Sequence, residues 1–152
     1  MIGNLEMKAV AIRACKDEDF DEILPLLQQL WPEKSLSRDR LQAVYQRGLE
    51  SEAQRYICAV DEGRIAGFCS LTITNDLWQQ GFLAHIDELI VNQADRGRGI
   101  GSQLLQSIMA LAREAGCTRV ELDSAFYRVE AHAFYQHAGF ENRAYLFSKL
   151  LG

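Results

Sequence analysis

The chain has no apolar run approaching the ~20 residues needed to cross a bilayer, and its start lacks the basic-then-apolar pattern of a secretory signal. A cytoplasmic protein with no membrane partner is expected. Positive charge is also scarce: 16 lysines and arginines against 21 aspartates and glutamates leave a net charge of −5. General nucleic-acid binding needs a basic face, so no nucleic-acid partner is expected. The acidity mildly favours cationic or amine substrates, although only the local field in a cleft steers a ligand. The four cysteines, Cys15, Cys58, Cys69 and Cys117, make no Cys-x-x-Cys pair. Small buried thiols are expected rather than disulfides. His85, His132 and His137 make no ligand pattern either, so no metal is expected. Repeats and low-complexity tracts are absent. With 152 residues, 48% of them apolar, the chain reads as a single domain over 1–152.

What is present is Arg96-Gly97-Arg98-Gly99-Ile100-Gly101, between an apolar stretch and an amphipathic helix. Glycines let a backbone approach a ligand closely, and the first N–H groups of a helix have no internal partners. Phosphate oxygens suit that position, and Arg96 and Arg98 add positive charge, so a pyrophosphate-bearing cofactor is implied. A Walker A loop is excluded because no lysine precedes Ser102. A dinucleotide fingerprint starting at Gly97 matches at Gly99 but meets Ser102 in its third glycine position, and too little chain follows for a doubly wound domain.

Hydrophobic periodicity predicts a strand over Lys8 to Ala14, then a helix from Asp19 to Leu30 capped by Asp17 and ended by Trp31-Pro32. Ser37 is the predicted N-cap of a second helix carrying Leu41, Val44, Tyr45 and Leu49. Tyr56 to Val60 and Ile65 to Thr74 read as a hairpin turning at Asp61-Glu62-Gly63-Arg64. Asn75 to Gly81 reads as a loop and Phe82 to Asn92 as a strand. Leu104, Leu105, Ile108, Leu111, Ala112 and Ala115 form one helix face closed by Gly116. A strand over Arg119 to Ser124, a helix around Tyr135 and a last strand over Ala144 to Leu150 complete the order. The result is a mixed α/β sheet whose parallel pair is joined by the helix after the glycine loop.

Arg96-x-x-Gly99-x-Gly101 resembles the coenzyme A loop of the GCN5-related N-acetyltransferase (GNAT) superfamily, and Leu89-Ile90-Val91 before it and Leu104-Leu105 after it are also similar. Ala131-His132-Ala133-Phe134-Tyr135, followed by Gly139-Phe140, resembles the family's second signature. One departure is Arg128, where the family often has asparagine. The resemblance implies a mostly antiparallel central sheet with a splayed parallel strand pair, flanked by about four helices. It further implies acetyl-CoA held by Arg96, Gly97, Arg98, Gly99, Ile100, Gly101 and Ser102, with backbone groups of Leu89, Ile90 and Val91 facing the cofactor. A homodimer is compatible with family habit.

Acetyl transfer from a thioester to an amine needs a neutral amine, a stabilised oxyanion and a proton for the departing thiolate. Tyr135 suits the last role, because a phenol of pKa ~10 matches an alkyl thiolate. Asp87 and Glu88 interrupt an apolar strand, where carboxylates are costly unless paired or used. Alternation along a strand puts them on opposite faces, so one of them is expected to serve as base or amine anchor, with Glu88 preferred for its reach. The alternative is a salt bridge to an arginine. The acceptor is expected to meet Trp31 to Ser37 and Asn75 to Phe82, with Trp31, Trp78 and Phe82 walling a pocket and Arg128 meeting an anionic group. A small-molecule amine acetyltransferase, resembling aminoalkylphosphonate and aminoglycoside enzymes, is the favoured reading. A protein lysine or N-terminal acetyltransferase and a non-catalytic coenzyme A binding module are the alternatives.

Overall fold

The computed structural model describes residues 10–152, so Lys8 and Ala9 of the first predicted strand lie outside the described residues. The chain divides into two compact units, Met1–Glu121 and Leu122–Gly152. The order of elements is β1 (Ala11–Ala14), a 3-10 turn (Asp17–Asp19), α1 (Phe20–Leu30), α2 (Arg38–Glu50), β2 (Gln54–Asp61) and β3 (Arg64–Asp76). It continues through β4 (Gly81–Val91), a 3-10 turn (Gln93–Asp95), α3 (Ile100–Glu114), β5 (Cys117–Leu122) and α4 (Val129–His137).

The strands pair in the order β1-β2-β3-β4-β5, antiparallel except for β5, which runs parallel to β4. A parallel neighbour needs a crossover, and α3 supplies it. Between β2 and β3, Glu62 and Gly63 take φ of 49° and 78°, a two-residue turn whose twist matches the strands it joins. The β3–β4 hairpin is longer than the sequence suggests. Asn75 pairs with Phe82 and Asp76 with Gly81, so the predicted loop over Asn75 to Gly81 shrinks to four residues, 77–80. Polar residues here belong to an exposed extension of the ladder, which composition cannot distinguish from a loop.

On one face of the sheet, α1 buries Phe20, Ile23, Leu26, Leu27 and Leu30 in a core with Tyr45 of α2, Cys58, Phe68 and Ile90. Asp17 makes no side-chain cap. Instead a 3-10 turn leads into α1, and the Asp19 carboxylate accepts from the Lys16 N–H at 2.7 Å and from both terminal nitrogens of Arg13 at 2.7 and 2.9 Å. Ser37 does cap α2, its hydroxyl accepting from the Arg40 N–H at 3.4 Å. Among these aromatics, Tyr56 stacks on Tyr45 at 5.5 Å and meets Phe68 edge-on at 5.7 Å. On the opposite face α3 buries Ile100, Leu104, Leu105, Ile108 and Ala112. Gly67 of β3 lets that helix close in, since a Cβ there would sit 2.8 Å from Leu104.

In the second unit, α4 carries Tyr135 and ends at Gly139, whose φ is 96°. The predicted last strand over Ala144 to Leu150 does not form. Residues 141–152 are exposed and irregular. The apolar alternation of that stretch expresses a preference for a ladder, but a strand exists only when another strand satisfies its backbone.

Candidate functional site

A β-bulge organises the carboxylates of β4. Ser70 pairs with Glu88 and Leu71 with Ile86, so β4 carries one extra residue, Asp87. The insertion overturns the expected alternation. His85 pairs with Thr72 and Glu88 with Ser70; Thr72 and Ser70 are two apart on β3 and share a face. His85 and Glu88, three apart in sequence, therefore share a face as well. Asp87 joins them, its Oδ2 accepting from Thr72 Oγ1 at 2.5 Å. On the neighbouring β2, Gln54 and Tyr56 are the partners of Thr72 and Ser70 and continue the same face.

The polar stripe is internally bonded. The Ser70 hydroxyl, almost fully buried, donates to Glu88 Oε2 at 2.5 Å and accepts from the Glu88 N–H at 3.0 Å. Asp87 Oδ1 lies 2.8 Å from His85 Nδ1. Gln54 Nε2 donates to Thr72 Oγ1 at 3.4 Å. Burial, reinforced by the charges of Glu88 and Asp87, pushes the Tyr56 phenol up to about 12. Asp87 is held by a threonine and a histidine rather than by an arginine salt bridge. Sequence reasoning missed His85, and the signal that could have found it is its i, i+2 spacing from Asp87 on a strand.

Downstream, β4 hands over to the glycine loop. Leu89, Ile90 and Val91 pair with Cys69, Phe68 and Gly67. Because successive backbone groups of a strand point to alternate edges, part of this stretch is directed away from β3, toward the β5 side. Gly97 and Gly99 take φ of 82° and 79°, and a Cβ on either would meet nothing within 4 Å, so the backbone there opens onto free space. Gly99 is the N-cap of α3, whose first N–H groups at Ile100, Gly101 and Ser102 have no intrahelical acceptors. That arrangement fits a pyrophosphate. The two arginines are used differently. Arg96 is exposed, with Nε 3.4 Å from the Val91 carbonyl. Arg98 pairs with Asp61 at 2.8 Å and with buried Asp95 at 3.2 Å, which ties the loop to the β2–β3 turn.

The sequence pattern of the Acetyltransferase (GNAT) family matches residues 20–140. The chain belongs to this family. It is 30% identical to the aminoalkylphosphonate N-acetyltransferase of Salmonella typhimurium, over 95% of this chain and 94% of that protein. It is 29% identical to the glucosamine 6-phosphate N-acetyltransferase of Trypanosoma brucei brucei, over 85% and 87%. A crystal structure of a Trypanosoma brucei acetyltransferase superposes with a TM-score of 0.77 at 26% identity, covering 93% of this chain and 99% of that one. The chain is thus an N-acetyltransferase of the GNAT fold.

Elsewhere in this GNAT protein, Trp31 is half-buried and packs against the α1 core, so it props the loop from below. Trp78 is exposed, with Arg119 over its ring at 5.0 Å, and Phe82 is exposed beside Gly116. Among the described residues no histidines gather for a metal; Cys15, Asp19 and Cys58 do converge, but the Asp19 carboxylate is already committed to Arg13 and Lys16. All four cysteines are free and buried. In the second unit Tyr135 is buried, with Phe134 and Phe140 edge-on at 5.4 and 5.7 Å. Arg128 is half-buried at the N-cap of α4. No described helix is long and apolar enough to cross a membrane.

Proposed function

We propose that this chain uses acetyl-CoA to acetylate the primary amine of a small molecule, by direct attack of the amine on the thioester, with residues 1–152 acting as one catalytic domain. The supporting observation is the sequence of surfaces along β4: a face bearing Glu88, Asp87 and His85, followed a short way down the chain by a helix start shaped for a pyrophosphate. Arg96 and the N–H groups of Gly99 to Ser102 hold the anionic diphosphate, and backbone groups of Leu89 to Val91 line the approach of the acyl arm. The coenzyme thioester supplies an activated acetyl group when bound. Glu88 anchors the incoming ammonium, its carboxylate oriented by Ser70. Tyr135 donates a proton to the leaving thiolate. Arg128 is the candidate contact for an anionic group on the acceptor.

The Salmonella and Trypanosoma relatives are named for amines that also carry a phosphonate or phosphate. Aminoalkylphosphonates and hexosamine 6-phosphates therefore head the acceptor panel, followed by aminoglycosides, polyamines and peptides. Release of free thiol from acetyl-CoA tests the reading. Turnover on a small amine supports it, whereas turnover on peptides alone, or tight cofactor binding with no turnover, refutes it in favour of a protein acetyltransferase or a binding module. A homodimer in the cytoplasm belongs to the same proposal. Tyr145, Leu146, Phe147, Leu150 and Leu151 crowd exposed apolar surface into the last residues, more than a monomer usually leaves to water.

A further inference from the structure

We propose that Arg98 is a positioning residue of the cofactor loop rather than a ligand of the diphosphate: it neutralises Asp61 and Asp95 and so keeps two carboxylates from repelling the anion received at the start of α3. This role rests on the acetyl-CoA reading and settles what the second arginine of the loop does within it.

Four charges from two turns meet beside the glycines. Asp61 and Arg64 pair across the β2–β3 turn, and Asp95 and Arg98 bracket Arg96 and Gly97. Arg98 Nη1 reaches Asp61 Oδ2 at 2.8 Å and Asp95 Oδ1 at 3.2 Å, so one terminal nitrogen holds both carboxylates. The acids are the buried members, their side chains 12% and 8% exposed. Asp95 Oδ2 is buried and has no hydrogen-bond partner. A carboxylate so placed is costly unless its charge is offset nearby. Arg64 offsets little of it, being mostly exposed and 3.6 Å from Asp95 Oδ1. Arg98 is therefore the principal counter-charge.

The position of this network ties it to the cofactor. Arg98 lies between Gly97 and Gly99, two residues before the first free N–H group of α3, so its guanidinium draws both carboxylates against the loop that receives the diphosphate. Buried charges are screened by salt much less than exposed ones. With Arg98 removed, two negative charges would stand beside the anion site, and the helix start would lose part of its attraction for phosphate oxygens. Asp61 also draws the guanidinium toward the β2–β3 turn, which leaves Arg96 and the backbone N–H groups to meet the diphosphate.

Coenzyme A binding, read by titration calorimetry, tests this without requiring turnover. Wild-type protein that does not bind coenzyme A overturns the cofactor reading and the role of Arg98 together. Given binding, Arg98→Met, which keeps most of the aliphatic stem, is expected to raise Kd by roughly tenfold or more, the scale of one charge-assisted contact. In an Asp61→Asn/Asp95→Asn background the same change should cost little, because no carboxylate is left to neutralise. A direct diphosphate ligand would cost at least as much there, its guanidinium being freer. Arg98→Lys keeps the charge with the least disturbance of the loop and should bind close to wild type. In turnover, Arg98→Met should raise the KM for acetyl-CoA and leave kcat at saturation unchanged. Melting curves confirm that each variant is folded. An equal loss of affinity in both backgrounds, an unchanged Kd in Arg98→Met, or a Kd in folded Arg98→Lys well above that of wild type would each overturn the assignment of Arg98 while leaving the acetyl-CoA reading intact.

Discussion

Replacing Gly48 with alanine sets a helix preference against a steric conflict, and the two can be weighed from the structure. Gly48 lies inside α2, where alanine is favoured over glycine by about 1 kcal/mol. A Cβ at that position, however, would sit 2.0 Å from the Tyr56 hydroxyl oxygen, 2.3 Å from Cζ and 2.5 Å from Cε2. Ordinary carbon contacts need about 3.5–4.0 Å, so the ring must withdraw by more than an ångström. It is held by Tyr45 on one side and Phe68 on the other. Overpacking costs about 1–3 kcal/mol, and each disturbed aromatic pair about 0.5–1.5 kcal/mol. After subtracting the helix gain, Gly48→Ala is expected to destabilise the protein by about 1–3 kcal/mol. At about 2–4 °C per kcal/mol for a chain of this size, Tm should fall by several degrees. Thermal and urea melts read the effect. In a Tyr56→Leu background the same change should be neutral or stabilising, because the obstructing ring is gone, and a double-mutant cycle isolates that coupling. A Gly48→Ala protein as stable as wild type, or no difference between the two backgrounds, refutes the reasoning.

Asp19→Asn should lower Tm at neutral pH by the loss of charge-assisted bonds to Arg13, about 1.5–3 kcal/mol. The Arg13 guanidinium holds the Asp19 carboxyl below its usual range, so its contribution is complete above the unfolded value of ~4 and disappears as pH falls through the lower folded value. The Tm gap between wild type and Asp19→Asn should therefore close on acidification, and a gap that persists at the lowest pH contradicts the assignment. Gly99→Ala forces a φ of 79° on a residue with a Cβ, costing about 1–2 kcal/mol, and should weaken acetyl-CoA binding in a calorimetric titration; an unchanged Kd removes the loop from the cofactor site. Tyr135→Phe keeps the ring packing against Phe134 and Phe140 while deleting the hydroxyl, and should lower turnover. Unchanged turnover across pH rules out Tyr135 as proton donor.

Local chemistry is readable from residues alone. Gly63, Gly99 and Gly116 announce backbone conformations that glycine adopts at little cost, and each has a positive φ in the structure. The apolar spacing from Leu104 to Ala112 marks the buried face of α3 because those positions line up on one side only when the chain turns every 3.6 residues. Non-local matters stay hidden. Nothing in the residues around Asp87 announces an extra residue in a ladder, since a bulge is defined by its partner strand. Arg98 carries the same charge whether it meets a phosphate or reaches Asp61, 37 residues away in sequence. The apolar stretch over Ala144 to Leu150 fits a strand by composition and forms none. Trp31 reads the same in sequence whether it walls a pocket or supports a loop, and its packing against the α1 core depends on residues outside its own segment.

The extra residue in β4 also bears on how such a surface can be gained or lost. Register on both flanks of Asp87 is intact, His85 with Thr72 before it and Glu88 with Ser70 after it. Excising that single codon would let the ladder close up with every other partnership retained, including those of the segment leading to the glycine loop. Histidine and glutamate would keep their common side, now as ordinary next-but-one neighbours, and only the carboxylate between them would vanish. A bare imidazole and one backed by its own acid thus stand one in-frame insertion apart. Neither flank of the strand has to be rebuilt to cross that distance.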